Sequence, residues 1–497
     1  TIEEGERYRF GNLSVNAKLR DLNAASLLPV LTTVSDEWYD ADEVEDTIQA
    51  LTDAVGNQGY AFVDIRPKIK RNREERRIDV TYEIEEGPRV YVQRINIVGN
   101  VRTIDDVIRR EFRLVEGDAF NAAKIRRSRQ KIRDLGLFET VNIETEQGDQ
   151  PDQSVLMVAV EEKSTGELSF GAGLSTLDGF LGDISISERN LLGRGQDLRL
   201  GLTFSTRRQE IDLSFTEPYF FDRDIAAGFD VFRKSADFQD ESSFDQDTLG
   251  FSLRAKYTVA EDLRHGLTYT LRQEKISDVD ESASRLIREQ EGTSLTSSLG
   301  HSLTYDKRDS RLKPTEGYFI LFGQEVAGLG GDVRYLKHTL TYTYHWPLWS
   351  DWVANARLRE GHVVGLGEDV RINDRFFLGG SSLRGFEPGG VGPRDRNTSD
   401  SLGGNMFYVA TAEVTVPLNI TKDFDVDAAL FTDLGTLSQV DDSGAEVVDV
   451  GDPRASVGFG FAYVSPFGPI RIDFARAVVK ESFDRTENFR FSFGTRF

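Results

Sequence analysis

The last two thirds of this chain carry one dominant rhythm. From about residue 166 to the end, apolar residues alternate with polar or small ones, as in Leu198–Phe204, Ile211–Phe215, Leu340–Trp346 and Val457–Tyr463. A period of two is that of a β-strand with one face against an apolar environment. About sixteen such segments follow one another. The pattern therefore predicts an all-β structure for this part of the chain.

The connections between the segments indicate how the strands are arranged. Short turns, such as Ala260–Asp262 and Ser465–Phe467, alternate with longer loops, such as Ser277–Glu291 and Ile372–Asn405. Short turns at one end and long loops at the other are typical of an outer-membrane barrel, and closure leaves no sheet edge unpaired in lipid. We therefore predict a membrane β-barrel of about 16 antiparallel strands over residues 165–497. A soluble β-sandwich or propeller is the alternative that alternation alone leaves open.

Before residue 164 the sequence mixes helical and strand-like stretches, and it does so twice. Asp42–Val55 and Lys124–Leu135 have the apolar spacing of amphipathic helices. The two units then close on the strand-like segments Ile78–Glu85 and Val155–Glu162. Such an internal repeat predicts two small α+β domains.

The domain boundaries follow from this repeat. We predict one domain at residues 1–87, a second at residues 88–164 and the barrel after it. Glu3–Gly5 matches the end of the first repeat, so we expect these first residues to be the tail of a preceding repeat. The natural protein is then expected to carry further repeats upstream.

Composition and motifs narrow the function classes. A net charge of −23 argues against nucleic-acid binding, and the absence of Cys excludes disulfides and thiolate chemistry. The longest apolar run is Val155–Val160, whereas a spanning helix needs about 20 apolar residues. The five His are scattered, and P-loop and G-x-S-x-G motifs are absent. We therefore predict no catalytic residues, no metal site, no cofactor and no enzyme activity.

Three motifs carry a family resemblance. They are Gly379–Pro388, which contains Leu-Arg-Gly-Phe, then Tyr305–Tyr318, and Phe431–Gly435. With the tandem repeats and the terminal Phe497, they make the chain similar to the outer-membrane protein assembly-factor family (the BamA family), which joins POTRA domains to a sixteen-stranded barrel. Leu383 stands where many members have Val, and two repeats instead of five again suggest truncation.

The resemblance implies a function and partners. The expected function is assembly and insertion of β-barrel proteins into the outer membrane of Gram-negative bacteria, with the repeats in the periplasm. The implied partners are unfolded outer-membrane proteins, accessory lipoproteins (BamD-like) and outer-membrane lipids. A TamA-like or two-partner-secretion translocation pore is the alternative, and a passive porin is a third possibility.

A long Gly-rich loop holds the first candidate site. The resemblance implies that this loop folds back into the barrel lumen, so that Arg384 would be buried. A buried guanidinium needs carboxylate partners. Strand parity places Glu413 and Asp433 on lumen-facing positions. In the family these positions match the carboxylates that anchor the loop arginine. We therefore predict a lumen loop anchor formed by Arg384, Gly385, Phe386, Glu413 and Asp433, with a flexible surface loop as the alternative.

The seam between the first and last strands is the second candidate site. Glycines weaken strand pairing because they add backbone entropy and no side-chain packing. A weak seam could open toward lipid and pair with an incoming strand by β-augmentation. An ordinary barrel closure is the alternative. The predicted lateral gate consists of Leu168, Phe170, Gly171, Gly173, Gly494 and Phe497.

A basic helix in the second repeat is the third candidate. A solvated helix face is the default interpretation of such a charge run. Docking of an acidic accessory lipoprotein or of anionic headgroups is the functional one. The predicted docking residues are Arg126, Arg127, Arg129, Lys131 and Arg133.

Overall fold

The computed structural model describes most of the chain. The described residues are 7–58, 60, 62–87, 90–349, 351–418, 426–442, 444–465 and 468–494. The predicted repeat tail Glu3–Gly5 and the predicted gate residue Phe497 lie outside them. The chain divides into two compact units, which are residues 1–165 with 190–195, and residues 166–189 with 196–497.

The first repeat is a three-stranded sheet with one long helix. Asp40 caps the helix by accepting a hydrogen bond from the backbone N–H of Asp42 at 2.9 Å. The helix buries Val44, Leu51 and Val55 against the sheet, whose order is β1-β3-β2 with β1 parallel to β3. The elements are β1 (Arg9–Ala17), a 3₁₀ helix (Ala24–Val30), α1 (Ala41–Asn57), β2 (Val63–Asn72) and β3 (Arg77–Glu86).

The second repeat has the same arrangement, with a sheet of order β4-β6-β5 and β4 parallel to β6. Asn121 caps its long helix through the N–H of Lys124 at 3.0 Å. Ile125 and Ile132 of that helix are buried against Leu156 of the sheet. The elements are β4 (Tyr91–Val98), α2 (Asp105–Arg109), α3 (Ala122–Asp134), β5 (Phe138–Gln147) and β6 (Gln153–Glu162). No helix in the described ranges is both long and apolar enough to cross a bilayer.

The rest of the described chain forms a closed antiparallel barrel of sixteen strands, which confirms the predicted fold class. Two short strands, β18 and β21, pair with each other and are not part of the barrel wall. The elements in chain order are β7 (Gly166–Ser175), β8 (Gly179–Leu191), β9 (Gln196–Ser205), β10 (Arg208–Glu217), β11 (Ile225–Asp237), α4 (Gln239–Ser242), β12 (Asp245–Ala260), β13 (Leu263–Ser277), α5 (Arg285–Arg288), β14 (Gly292–Asp306), β15 (Gly317–Gly331), β16 (Tyr335–Pro347), β17 (Val353–Gly365), β18 (Arg394–Asp395), β19 (Met406–Pro417), β20 (Val426–Ser438), β21 (Val447–Val448), β22 (Arg454–Ser465), β23 (Gly468–Val479) and β24 (Phe489–Phe493).

Strand parity separates the two faces of the barrel wall. On β20, Leu430 and Leu434 are 64% and 44% exposed on the outer face. Phe431 and Asp433 alternate with them and are buried at 5% and 2%, because they point toward the chain inside the barrel. The wall therefore combines an apolar outer face with a polar lumen.

The connections follow the predicted alternation of lengths only in part. At the end that carries the long loops, residues 176–178, 206–207 and 332–334 form short connections. At the opposite end, residues 307–316 form a longer one. The long loop between β17 and β19 spans residues 366–405, so it begins six residues earlier than the sequence predicts.

Candidate functional site

The loop at residues 366–405 has its own small apolar core. Leu378, Leu383, Phe386 and Val391 are each at most 3% exposed, and they pack with wall residues that include Val409 and Leu437. Loop side chains that meet side chains of β19 and β20 lie inside the barrel. The loop is therefore folded into the lumen instead of extending away from the wall.

Arg384 lies at the centre of this region and binds two wall carboxylates. Its Nε donates to Oδ2 of Asp433 at 2.8 Å, and its Nη2 donates to Oδ1 at 2.8 Å. Its Nη1 donates to Oε2 of Glu413 at 2.7 Å. The guanidinium carbon also lies 3.3 Å from the ring centroid of Phe431. The structure thus brings together the three charged residues of the predicted anchor.

The geometry explains why an arginine is needed at this position. The planar fork of Arg can bond both oxygens of one carboxylate, whereas Lys presents a single ammonium. The side chain of Asp433 is 2% exposed and that of Arg384 is 9% exposed. Either charge alone would be desolvated without compensation, and this makes the pair interdependent.

Gly385 and Phe386 of the predicted anchor support this contact. Gly385 has φ +88°, and an added Cβ would lie 3.0 Å from Cβ of Ser456. A side chain there would be strained in its backbone and crowded by the wall. Phe386 is fully buried in the loop core. In the Arg-Gly-Phe sequence, the arginine therefore forms the ion pairs, the glycine lets the backbone lie close to the wall, and the phenylalanine packs in the loop core.

The loop also contacts the segment that leads into the last strand. The N–H of Glu487 donates to the carbonyl of Gly385 at 3.2 Å, and the N–H of Glu387 donates to the carbonyl of Arg485 at 3.1 Å. An added Cβ on Gly380 would lie 3.0 Å from a guanidinium nitrogen of Arg490. The anchored loop is thus in direct contact with residues adjoining β24.

The seam between β24 and β7 has a short pairing in the described residues. Ser492 pairs with Ser175, and Phe493 pairs with Leu174. Within the described residues, the next contact along the seam is the close approach of Gly494 to Gly173.

Of the predicted gate residues within the described ranges, Gly173 and Gly494 meet at the seam, and the others lie on β7. Leu168 and Phe170 are 59% and 71% exposed on the outer face of β7, and Gly171 pairs with Asp183 on the far side of that strand. An added Cβ on Gly173 would lie 2.5 Å from the carbonyl oxygen of Phe493, and one on Gly494 would lie 2.6 Å from Cα of Gly173. Here glycine permits close backbone approach, which the sequence argument did not foresee.

The basic face of α3 is largely used within its own unit. Arg126 pairs with Asp53 of α1, and Lys131 lies 3.7 Å from the buried Glu111. The side chains of Arg129 and Arg133 donate to carbonyls of β5 at 2.9 and 3.4 Å. For Arg127 no hydrogen bond or ion pair is recorded within the described ranges. The role of these residues in docking stays a prediction.

The Tyr305–Tyr318 motif forms the long turn between β14 and β15. Asp309 accepts hydrogen bonds from the N–H groups of Thr315 and Glu316 at 2.9 and 3.1 Å. A hydrogen bond from the Thr315 hydroxyl, together with these N–H groups, holds the pKa of Asp309 well below its usual range. The motif therefore encodes a turn stabilised by one carboxylate.

Sequence reasoning missed charged residues that support the site. Arg471 on β23 lies 3.6 Å from Glu413 and donates to Asp473 at 2.8 Å. Arg454 and Asp484 form a pair whose side chains are both fully buried. The parity rule used for Glu413 could have identified Arg471, but Asp484 lies in a loop and follows no period.

Over the described part of the chain, no group of three His, Asp or Glu side chains is placed to hold a metal ion.

Comparison with known proteins agrees with this architecture. The profile of the Omp85 superfamily domain matches residues 190–497. The POTRA profile, described as a surface antigen variable number repeat, matches residues 8–87 and 90–163.

Two relatives are named outer membrane protein assembly factor BamA. The one from Neorickettsia risticii is 33% identical over 99% of this chain and 66% of its own length. The one from Nitratidesulfovibrio vulgaris is 32% identical over 95% of this chain and 59% of its own length. The chain thus spans about two thirds or less of these relatives.

A solved structure agrees at the level of the fold. BamA from Haemophilus ducreyi lacking POTRA domains 1–3 superposes with a TM-score of 0.80, at 23% identity, over 99% of this chain and 100% of that chain. Because the superfamily profile covers more than half of the sequence and the BamA relatives match nearly all of it, this chain belongs to the Omp85 superfamily, within the outer-membrane assembly-factor family of BamA.

Proposed function

We propose that this chain assembles and inserts β-barrel proteins into the bacterial outer membrane. The relatives that match nearly the whole chain are named for outer-membrane protein assembly. The observation that carries the proposal is the composition of the seam, where two glycines, Gly494 and Gly173, lie directly against each other beside the Phe493–Leu174 pair and add no side-chain packing. A wall that is weakly joined at one position supplies a strand edge without disrupting the other strands.

The physical basis is strand templating at this edge. An edge strand presents unpaired N–H and C=O groups, and an incoming strand can satisfy them by β-augmentation. In lipid, unpaired backbone groups cost several kcal/mol each, so an opened seam strongly favours a substrate strand over hydrocarbon. The energy would come from substrate folding and lipid burial, and no nucleotide is needed.

The anchored loop would support this function from inside the barrel. Arg384 fixes the loop on β19 and β20, and the loop backbone contacts Glu487 just before β24. A loop held in this way would fix the position of the last strand from the lumen. We therefore assign the anchor residues a positioning role and the gate residues the substrate contact.

The proposal includes location and partners. The barrel would lie in the outer membrane with the repeats in the periplasm, where unfolded outer-membrane proteins arrive. An accessory lipoprotein would dock on α3, and since the other cations of this face have internal partners, Arg127 is its most available contact. Outer-membrane lipids would surround the apolar outer face.

A disulfide across the seam tests the gate. Because the chain has no Cys, Ser175→Cys with Ser492→Cys introduces a single pair at directly opposed positions. The matched control is Ser252→Cys with Thr270→Cys, which are opposed on β12 and β13 and whose hydroxyls lie 3.0 Å apart. Both proteins are reconstituted in liposomes, and the folding rate of an unfolded barrel substrate is measured with and without reductant.

The two outcomes are distinct. We expect the oxidised seam variant to lose acceleration over empty liposomes, and reductant to restore it, while the control stays active in both states. An oxidised seam variant that remains as active as its reduced form would refute the gate. Steady ion conductance without any acceleration by the unmodified protein would instead favour a passive porin.

A further inference from the structure

The first part of the lumen loop takes part in a second cluster of charged side chains, away from Arg384. Asp374 ends a 3₁₀ turn at Ile372–Asp374 and is 1% exposed. Arg272 of β13 donates from Nη2 to Oδ1 of Asp374 at 2.5 Å. Lys337 of β16 donates from Nζ to the carbonyl oxygen of the same residue at 2.9 Å. Two strands of the wall thus hold one loop residue by its side chain and its backbone.

Further groups complete the cluster. Arg272 also donates to Oε2 of Glu274 at 3.0 Å and to the hydroxyl of Tyr335 at 3.1 Å. The Tyr335 hydroxyl in turn donates to Oε1 of Glu325 at 2.8 Å. The contacts therefore connect β13, β15 and β16 to the loop.

The charges in this cluster do not balance. Arg272 and Lys337 supply two positive charges, whereas Glu274, Glu325 and Asp374 supply three negative charges when all are ionised. Oδ2 of Asp374 is buried and has no hydrogen-bond partner in the described chain. A buried carboxylate oxygen without a donor is costly, and a proton bound to Asp374 would remove the excess charge.

We propose that Asp374, gripped by Arg272 and Lys337, is a second latch of the lumen loop and that this latch tightens when Asp374 takes up a proton. It holds the start of the loop on β13 and β16, while Arg384 holds the middle of the loop on β19 and β20. Asp374, Arg272 and Lys337 are positioning residues, and their relevance to barrel assembly rests on the proposed function.

The pH dependence has a definite sign. Burial raises the pKa of Asp374 from its ordinary value of 3.8 to about 6, with Glu274 and Glu325 acting in the same direction and Arg272 and Lys337 acting against it. The docked loop therefore binds a proton more tightly than the released loop does. Docking is strongest at a pH below 3.8, the ordinary pKa of Asp374, which applies to the released loop. It weakens as the pH rises through about 6, the pKa of Asp374 in the docked loop. With these two pKa values, lowering the pH from 7 to 5 raises the ratio of docked to released loop roughly tenfold.

The test is hydrogen exchange of the amides at residues 370–376 in the full chain in lipid nanodiscs. Protection factors are used because they already correct for the pH dependence of intrinsic exchange. They are measured at pH 5, 6 and 7 in the unmodified protein and in Asp374→Asn, which keeps the shape but cannot titrate. Asp369→Asn is the matched control, because Asp369 is an exposed carboxylate at the start of the same loop.

We expect protection to rise about tenfold from pH 7 to pH 5 in the unmodified protein and in the control, and to be flat in Asp374→Asn. Arg272→Met should move the midpoint to higher pH, because it removes the charge that opposes protonation; a purely structural role would not produce this shift. A flat profile in the unmodified protein, or a retained slope in Asp374→Asn, overturns the latch. Loop protection does not depend on substrate, so failure here is distinguishable from failure of the assembly proposal.

Discussion

Replacing Arg384 by Met separates an ionic anchor from ordinary packing. Met keeps an unbranched apolar chain next to the Phe431 ring but removes all three side-chain hydrogen bonds to Asp433 and Glu413. Asp433, with its side chain 2% exposed, then loses its two guanidinium donors. Breaking a buried pair from one side costs about 3–5 kcal/mol. At about 1.4 kcal/mol per factor of ten, the ratio of docked to released loop falls by roughly 10² to 4 × 10³.

A paired variant tests the cause of that loss. Asp433→Asn removes the carboxylate that has lost its guanidinium partner. The loop should therefore dock better in Arg384→Met combined with Asp433→Asn than in Arg384→Met alone. Residues in one hydrogen-bonded network show such non-additivity, with coupling energies of about 0.5–3 kcal/mol. Simple packing by the arginine stem would instead give additive losses.

The measurement is hydrogen exchange of the amides at residues 379–391 in lipid nanodiscs. The matched control is Arg357→Met, an exposed arginine on the lumen face of β17 for which no hydrogen bond to the loop is recorded in the described ranges. We expect the control to retain protection and Arg384→Met to lose it. Unchanged protection in Arg384→Met, or strict additivity in the paired variant, would show that the ion pair does not hold the loop.

Three further predictions address other parts of the chain. Gly385→Ala should destabilise loop docking by more than about 1 kcal/mol, because φ is +88° and the wall crowds the new Cβ; exchange of the same amides reports it. Arg454→Met should lower the temperature at which the folded barrel band disappears in gel mobility, since the fully buried Asp484 loses its ion-pair partner and keeps only the N–H of Glu481 as a donor; an unchanged transition temperature would contradict this expectation. Arg127→Glu should weaken capture of an accessory lipoprotein at least as much as Arg126→Glu does, because Arg126 is paired with Asp53 within the chain.

Much of the fold is legible in the sequence because its periods are local. The two-residue alternation and the repeated helix-strand order fix sixteen strands and two α+β repeats, and both are found. Local periodicity does not reveal the strands that begin each repeat, Arg9–Ala17 and Tyr91–Val98. Each pairs in parallel with a strand more than fifty residues away, and its position therefore depends on a crossover instead of on a neighbouring turn.

The candidate site was predictable only where parity applies. Glu413 and Asp433 lie on strands, so alternation alone places them on the lumen face. Arg272 lies on the lumen face of β13 as well, but its partner Asp374 belongs to a loop that has no period. The close approach of Gly494 to Gly173 could not be foreseen either, because it depends on how the last strand meets the first after the whole barrel has closed.

The chemistry of the two latches bears on why the lumen loop is held by charges. Buried ion pairs are weak contributors to stability, since apolar residues of similar volume often stabilise as well or better. A loop meant only to plug the barrel could rely on a core such as that of Leu383 and Phe386. Contacts made through Arg384 and Arg272 are strong when complete and costly when half made, so the loop has few partly docked states. We infer that the loop switches between docked and released positions as a unit, and that its contact with Glu487 would transmit this switch to the last strand. If hydrogen exchange found the amides of residues 370–376 and 379–391 opening independently in the unmodified protein, that inference would be wrong.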